Sequence, residues 1–242
     1  MTIYEQIAED LIKSKITDNN KIEKMKSFLQ ISPEGYGKND EFLGVKVPVQ
    51  REIAKKYYKD CDLETMEKLL KSPIHEYRFT ALLMLILHFE KEQIYSKKEC
   101  YNLYVRNMKY INNWDLVDVS SHKIIGSYLF DKNREILLKW ACDKNIWIRR
   151  ISIVSTWYFI RQNDFEYTLK ISEKLLSDSH HLIHKAIGWM LREVGKKDQN
   201  ILNIFLKKQA DKMPRVTLRY AIEKYPENIR KKILKNKFID IL

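Results

Sequence analysis

Glycine and proline are scarce in this 242-residue chain, with six and five residues. Their scarcity removes the turn chemistry on which sandwiches and barrels depend. Strand-like alternation is also hard to find, so an all-α fold is expected. Three cysteines, Cys61, Cys100 and Cys142, lie far apart without C-x-x-C spacing. They point to a reducing compartment and to no zinc knuckle. No apolar run approaches the length of a membrane span. The segment from Met1 to Gln30 carries regular charges (Glu5, Glu9, Asp10, Lys13, Lys15) in place of a signal core. A cytoplasmic protein, associated with the nucleoid when it binds DNA, is the expectation. Phosphate-binding loops, dinucleotide fingerprints, nucleophile elbows and H-E-x-x-H are missing as well. His180 and His184 have i, i+4 spacing, but no glutamate or cysteine stands near them in sequence, and no metal or cofactor is expected.

Charge is abundant and one-sided. The formal net charge is +12 and the isoelectric point about 9.4, which favours a polyanionic partner and speeds encounters with it. A lysine-rich composition serving only solubility is the alternative.

What the chain does contain is a ruler. Arg78, Asn113, Arg149, His184 and Arg219 are separated by 35, 36, 35 and 35 residues. A period in this range marks stacked helical pairs that cannot bury their apolar faces alone. Counting from each ruler residue, offsets 3, 4 and 7 fall on one side of a helix. They hold Ala81, Leu82 and Leu85; Leu116, Val117 and Ser120; Ser152, Ile153 and Thr156; Ile187, Gly188 and Leu191. These are the expected core. Offsets 1 and 5 lie on a second face, and there stand Trp114, Asp118, Arg150, Lys185 and Trp189. Tryptophans, a carboxylate and cations aligned off the core form a candidate site. Read alone, Trp114 as a core residue and Asp118 as a solvated one is the competing interpretation. Arg149 is read both as an inter-repeat ion-pair partner and as a basic contact. Gly188, mid-helix beside Trp189, suggests a close helix approach.

The expected organisation is one domain over 1–242. Two amphipathic helices occupy 2–31, a loop spans 32–47, and helical pairs follow from about 48 onward: 62–71 with 73–90, 96–109 with 113–130, 132–142 with 146–162, 164–176 with 180–196, and 198–211 with 214–224. A basic helix over 226–238 closes the chain. Basic clusters at Lys46, Arg51, Lys55 and Lys56, at Lys207 and Lys208, and at Arg230, Lys231, Lys232, Lys235 and Lys237 fit phosphate contacts.

The segments FLGVKVPVQREIAK, NNWDLVD (112–118), WIRR (147–150), KAIGWMLRE (185–193) and RVTLRYAIEK (215–224) resemble the DNA alkylation repair family, the HEAT-like-repeat alkylpurine DNA glycosylases. They span most of the chain in family order. The resemblance implies a right-handed superhelical solenoid whose concave face cradles duplex DNA. It implies hydrolysis of the N-glycosidic bond of cationic purines such as N3-methyladenine and N7-methylguanine, as in base excision repair. The family's aspartate, arginine and two tryptophans fall on Asp118, Arg150, Trp114 and Trp189. Arg51, Arg149, Lys185, Arg192, Arg219 and Tyr36 are the expected DNA contacts of a monomeric protein. The best-known branch carries a tyrosine shortly before its Phe-x-Gly motif, whereas here only Tyr36 offers itself, in a different loop.

The chemistry of the residues agrees with that resemblance. A quaternised purine is already a good leaving group, so the remaining task is to stabilise an oxocarbenium-like sugar and position a water. A carboxylate does the first, tryptophan faces favour a cation, and arginine suits phosphate. The resemblance implies that the lesion need not enter a deep pocket, which suits a shallow face. Two rivals stand beside this reading: a non-catalytic binder of damaged or branched DNA, and a HEAT-type protein-binding scaffold.

Overall fold

The computed structural model describes residues 1–235, so Lys237 and the end of the expected terminal helix lie outside the described residues. Among the described residues there is no strand, only one isolated bridge between Glu41 and Ile74. The fold is all-α. The chain divides into two compact units, Met1–Ile124 and Ile125–Leu242.

The first unit contains α1 (Ile3–Lys13), α2 (Asn19–Leu29), α3 (Val47–Tyr57), α4 (Leu63–Leu70), α5 (His75–Lys91), α6 (Lys97–Arg106) and α7 (Trp114–Ser121). Local chemistry sets most of the starts. Thr2 and Ser96 build reciprocal capping boxes with Glu5 and Glu99, and Asp18 and Asp62 cap α2 and α4. Pro48 sits in the first turn of α3, where its missing N–H costs nothing. The hub is α5, which packs against α3, α4, α6 and α7. Almost all of its side chains are buried, including three that carry charge: His75, Glu76 and Arg78.

After α7 a π-helical turn, His122–Gly126, leads to the second unit. This unit contains α8 (Ser127–Leu129), α9 (Glu135–Trp140), α10 (Ile146–Ser155), α11 (Trp157–Arg161), α12 (Glu166–Leu175), α13 (His181–Lys197), α14 (Gln199–Gln209), α15 (Arg215–Ala221) and α16 (Glu227–Leu234). Its hub is α13, packed against α10, α11, α12, α14 and α15. The expected continuous helix over 146–162 is interrupted at Thr156. There the Ser155 hydroxyl donates to the Ile151 carbonyl at 2.6 Å and the Thr156 hydroxyl to the Ile153 carbonyl at 2.7 Å, a back-bonding that bends helices. Gly188 is a contact point: a Cβ there would lie 2.5 Å from Tyr220 Cβ and 2.7 Å from the Thr217 carbonyl oxygen. The close approach of α13 and α15 therefore requires glycine.

All twelve residues at offsets 3, 4 and 7 from Arg78, Asn113, Arg149 and His184 are buried. The ruler residues themselves do structural work. Arg78 donates to the Ser72 and Pro73 carbonyls at 2.7 and 3.0 Å, and Arg149 donates to the Asp143 and Lys144 carbonyls at 2.9 and 3.0 Å. His184 Nε2 lies 2.5 Å from the Asp178 carbonyl. In each case the side chain reaches back to the turn before its own helix and satisfies carbonyls that have no partner within the helices.

Candidate active site

In the first unit, the segment Phe42–Val45 is fastened by one buried carboxylate. Glu76 Oε1 accepts the backbone N–H groups of Leu43, Gly44 and Val45 at 3.1, 2.7 and 3.2 Å. A buried carboxylate is tolerable only when hydrogen-bonded in this way. Gly44 has φ +84°, the left-handed conformation that favours glycine. The same stretch is pinned by Glu41, whose N–H donates to the Pro73 carbonyl at 2.9 Å and whose carbonyl accepts from His75 N at 2.8 Å. These bonds place Phe42 over the start of α5.

A cavity of about 420 Å³ opens in this unit. Its wall is mostly apolar, with the rings of Phe28 from α2, Phe42, Phe79 and Trp114 among aliphatic side chains, and its polar groups are Gln50, Arg51, His75, Asp115 and Asp118. Phe28 meets Trp114 edge-to-face with centroids 5.0 Å apart, and although it is a large apolar side chain it remains 69% exposed. An exposed aromatic beside a ring-lined cavity marks a binding surface. Asn113 sets the start of α7: its side-chain oxygen accepts Trp114 N–H at 2.8 Å and its amide donates to the Leu29 carbonyl at 2.9 Å. From that start, Trp114 and Asp118 fall one turn apart on one face. Both are half-buried and line the cavity. The shallow face expected from the sequence is here a cavity.

Behind the wall runs a chain of charges. The guanidinium of Arg78 contacts Asp40 Oδ2 at 2.5 Å, His75 Nδ1 lies 3.4 Å from the same oxygen, and His75 Nε2 lies 2.8 Å from Asp115 Oδ2. Asn112 donates to the other Asp40 oxygen at 3.0 Å. Burial disfavours a charged ring at His75, but the Asp115 and Asp40 carboxylates outweigh it and push the imidazole up to about 9. Burial likewise works against the Asp40 charge, yet His75, Arg78 and Asn112 hold its carboxyl below the usual range.

In the second unit, Trp189 and Trp157 meet with centroids 5.0 Å apart, both half-buried. Lys185 is half-buried and Arg219 exposed. Arg150 is only 5% exposed and donates to the Leu182 carbonyl at 2.6 Å. Arg149 is bound to Asp178 at 2.6 Å as well as to its turn carbonyls, and Arg192 is paired with Glu223 and Glu193. These three arginines are engaged inside the protein and are not open surface cations. In the first unit, Arg51 is exposed on the cavity wall, while Tyr36 is half-buried in the 32–47 loop and does not line the cavity. Lys56, one of the expected basic cluster, is bound to Asp10 at 2.8 Å.

A family model described as DNA alkylation repair enzyme matches residues 12–225. The chain belongs to that family. A solved structure described as a predicted DNA alkylation repair enzyme from Enterococcus faecalis is similar over 88% of this chain and 98% of its own, with a TM-score of 0.66 and 16% identity. At that identity the likeness is one of fold. No curated protein matches the chain.

Seen within the DNA alkylation repair family, the Phe-x-Gly segment has a structural explanation in Glu76, and NNWDLVD in the Asn113 cap. Sequence reasoning did not assign Phe28, Phe42, His75, Asp40 or Asp115 to the site. Asp115 does accept the adjacent Leu116 N–H at 2.8 Å, but it also lines the cavity and holds His75. Among the described residues there is no helix long and apolar enough to cross a membrane and no cluster of metal-ligating side chains.

Proposed function

We propose that this member of the DNA alkylation repair family is a monofunctional glycosylase that releases cationic alkylated purines, of the N3-methyladenine and N7-methylguanine type, from duplex DNA. The observation that carries the reading is Asp118 on the wall of an aromatic cavity, one helical turn from Trp114. In the reaction the bond between C1′ and the purine nitrogen breaks, and its electron pair enters the ring and cancels the positive charge. Water adds to C1′ and loses a proton to solvent, leaving an abasic site. Asp118 opposes the positive charge that develops on the sugar, a preorganised electrostatic contribution worth several kcal/mol. The faces of Trp114 and Phe28 favour a cationic base over a neutral one. Trp189, beside Trp157, offers a second aromatic surface, and Arg150 is assigned to holding local geometry through the Leu182 carbonyl.

The +12 balance supports a DNA partner. Arg51, Lys185 and Arg219 are the phosphate contacts in this reading, because their side chains are at least partly accessible. The test is release of methylated purines from alkylated duplex DNA by the purified protein. Release without added metal is expected. Binding to duplex or junction DNA with no released base would replace the enzyme with a binder on the same fold.

A further inference from the structure

Asp115 and Asp118 stand three residues apart on α7 and both line the cavity. Neighbours at that spacing have Cβ atoms about 5–6 Å apart. Two carboxylates so placed repel, each negative charge disfavouring the other. A site that needs a charged Asp118 must therefore deal with Asp115. The network behind the wall does so. His75 is 2% exposed and directs Nε2 at Asp115 Oδ2 from 2.8 Å, while the second Asp115 oxygen accepts the Leu116 N–H at 2.8 Å.

We propose that His75 is a positioning residue whose imidazolium neutralises Asp115, so that Asp118 keeps its negative charge toward the cavity where the cationic base enters. The inference rests on the glycosylase reading of Asp118. The charges of Arg78, Asp40, His75 and Asp115 alternate in sign, while the buried Glu76 carboxylate is held by the N–H groups of Leu43, Gly44 and Val45. The groups that face His75 are Asp40 from the loop, Arg78 on its own helix and Asp115 from α7. Those near Asp118 include Asp115 on the same helix, Arg51 of α3 across the cavity and the Tyr104 hydroxyl of α6. With His75 held up to about 9, the ring is charged throughout the neutral range.

His75→Gln keeps a hydrogen-bond donor and removes the charge. The acid side of the pH profile for methylpurine release is then expected to move upward by about one pH unit, the scale of interaction between like charges a turn apart. Adding Asp115→Asn removes the competing carboxylate, and the double variant should return the acid side to its wild-type position. A loss equal at all pH values and not restored in the double variant overturns the proposal, because a merely structural histidine would give that pattern. Carbon NMR of the Asp118 carboxyl reads the same effect without turnover. An upward move in His75→Gln that reverses in the double variant supports the proposal, and an unmoved signal overturns it. If wild-type protein releases no base, the enzyme reading falls and the NMR arm still decides this one. Wild type alone gives a further check: nitrogen NMR finding a neutral His75 ring at pH 7 overturns it.

Discussion

The cavities of the described residues include two of nearly equal size, one in each unit. The first, about 420 Å³, has been described; the second, about 390 Å³, lies between α12 and α14 and is lined by Leu169, Lys170, Glu173, Ile201, Ile204, Phe205, Lys208 and Gln209. Both have apolar walls, and both have a large exposed apolar residue at the edge, Phe28 in one and Ile204 in the other. They differ in what stands behind the wall. Glu173 in the second already accepts from Gln209 at 2.6 Å and approaches Lys208 at 3.8 Å. Among the residues that line this cavity there is no histidine or arginine, and the one aromatic ring is Phe205. The first cavity is backed by buried charges whose placement costs desolvation and is maintained only by mutual pairing. Neither volume nor apolarity distinguishes a site from a gap between amphipathic helices. Buried, mutually satisfied charge beside paired rings does.

Removing each cavity's carboxylate charge should give the largest contrast. Asp118→Asn keeps the shape and loses the anion, and base release should fall by about 10²–10³, the range seen when one preorganised electrostatic partner is lost. DNA binding should be unchanged or slightly tighter, since an anion near phosphates has gone. Glu173→Gln should leave release as it was. Single-turnover rates with saturating protein measure both, and equal losses in the two variants would erase the distinction drawn here.

The sequence ruler made one part of this legible. Offsets 3, 4 and 7 are core because helical periodicity and repeat periodicity coincide there, and from Arg78 through His184 every one of those residues is buried. The same ruler does not sort the cations by role. Arg149 recurs at the position of Arg78 because each repeat has a turn whose carbonyls need donors five and six residues downstream. A structural repeat produces the same spacing as a functional column, so spacing alone cannot separate them. Arg192 looked like a surface cation because its partner Glu223 is 31 residues away, in the next repeat. The site's support was illegible for a related reason. Asp40, His75 and Asp115 come from a loop and two helices; 40 and 75 are 35 residues apart, but Asp40 lies in a loop before the ruler begins and Asp115 is 40 residues beyond His75, off the ruler's step. Phe28 belongs to a segment before the ruler begins. Trp114 and Asp118 could be found because i, i+4 spacing is local.

Stability should distinguish the two cavities by pH. The folded-state value of His75, about 9, lies above its ordinary 6.5. A group raised in this way stabilises fully below about 6.5, and that contribution is lost as pH rises through 9. The fall belongs to the first unit, since His180 and His181 of the second are lowered by burial and act in the opposite sense as pH rises. Cys61 and Cys100, pushed by burial from 9.0 up to about 12, also cost stability at high pH, but only above 9. Urea midpoints between pH 6 and 9 should therefore decline in wild type and stay flatter in His75→Gln. A wild-type curve that is level over that window would mean that the imidazolium is not held as the geometry indicates.

The smallest expected effect concerns the cavity edges. Arg51 lines the first cavity and Lys170 the second. Lys170 is bound to Glu166 at 2.6 Å one turn away, a half-exposed pair whose charge is locally cancelled. Arg51 is exposed on α3. If the first cavity receives a base from DNA, Arg51 stands where a flanking phosphate passes, and its contact releases counterions on binding. Removing one such contact should lower the slope of log affinity against log salt by roughly 1 and weaken binding about equally for all sequences. Arg51→Ala is expected to do this, and Lys170→Ala to leave the slope unchanged. Titrations of an unmodified duplex over a range of salt concentrations measure both. If the slope drops with Lys170→Ala and not with Arg51→Ala, the nucleic acid runs past the second cavity, and the assignment of DNA to the first has to be reversed.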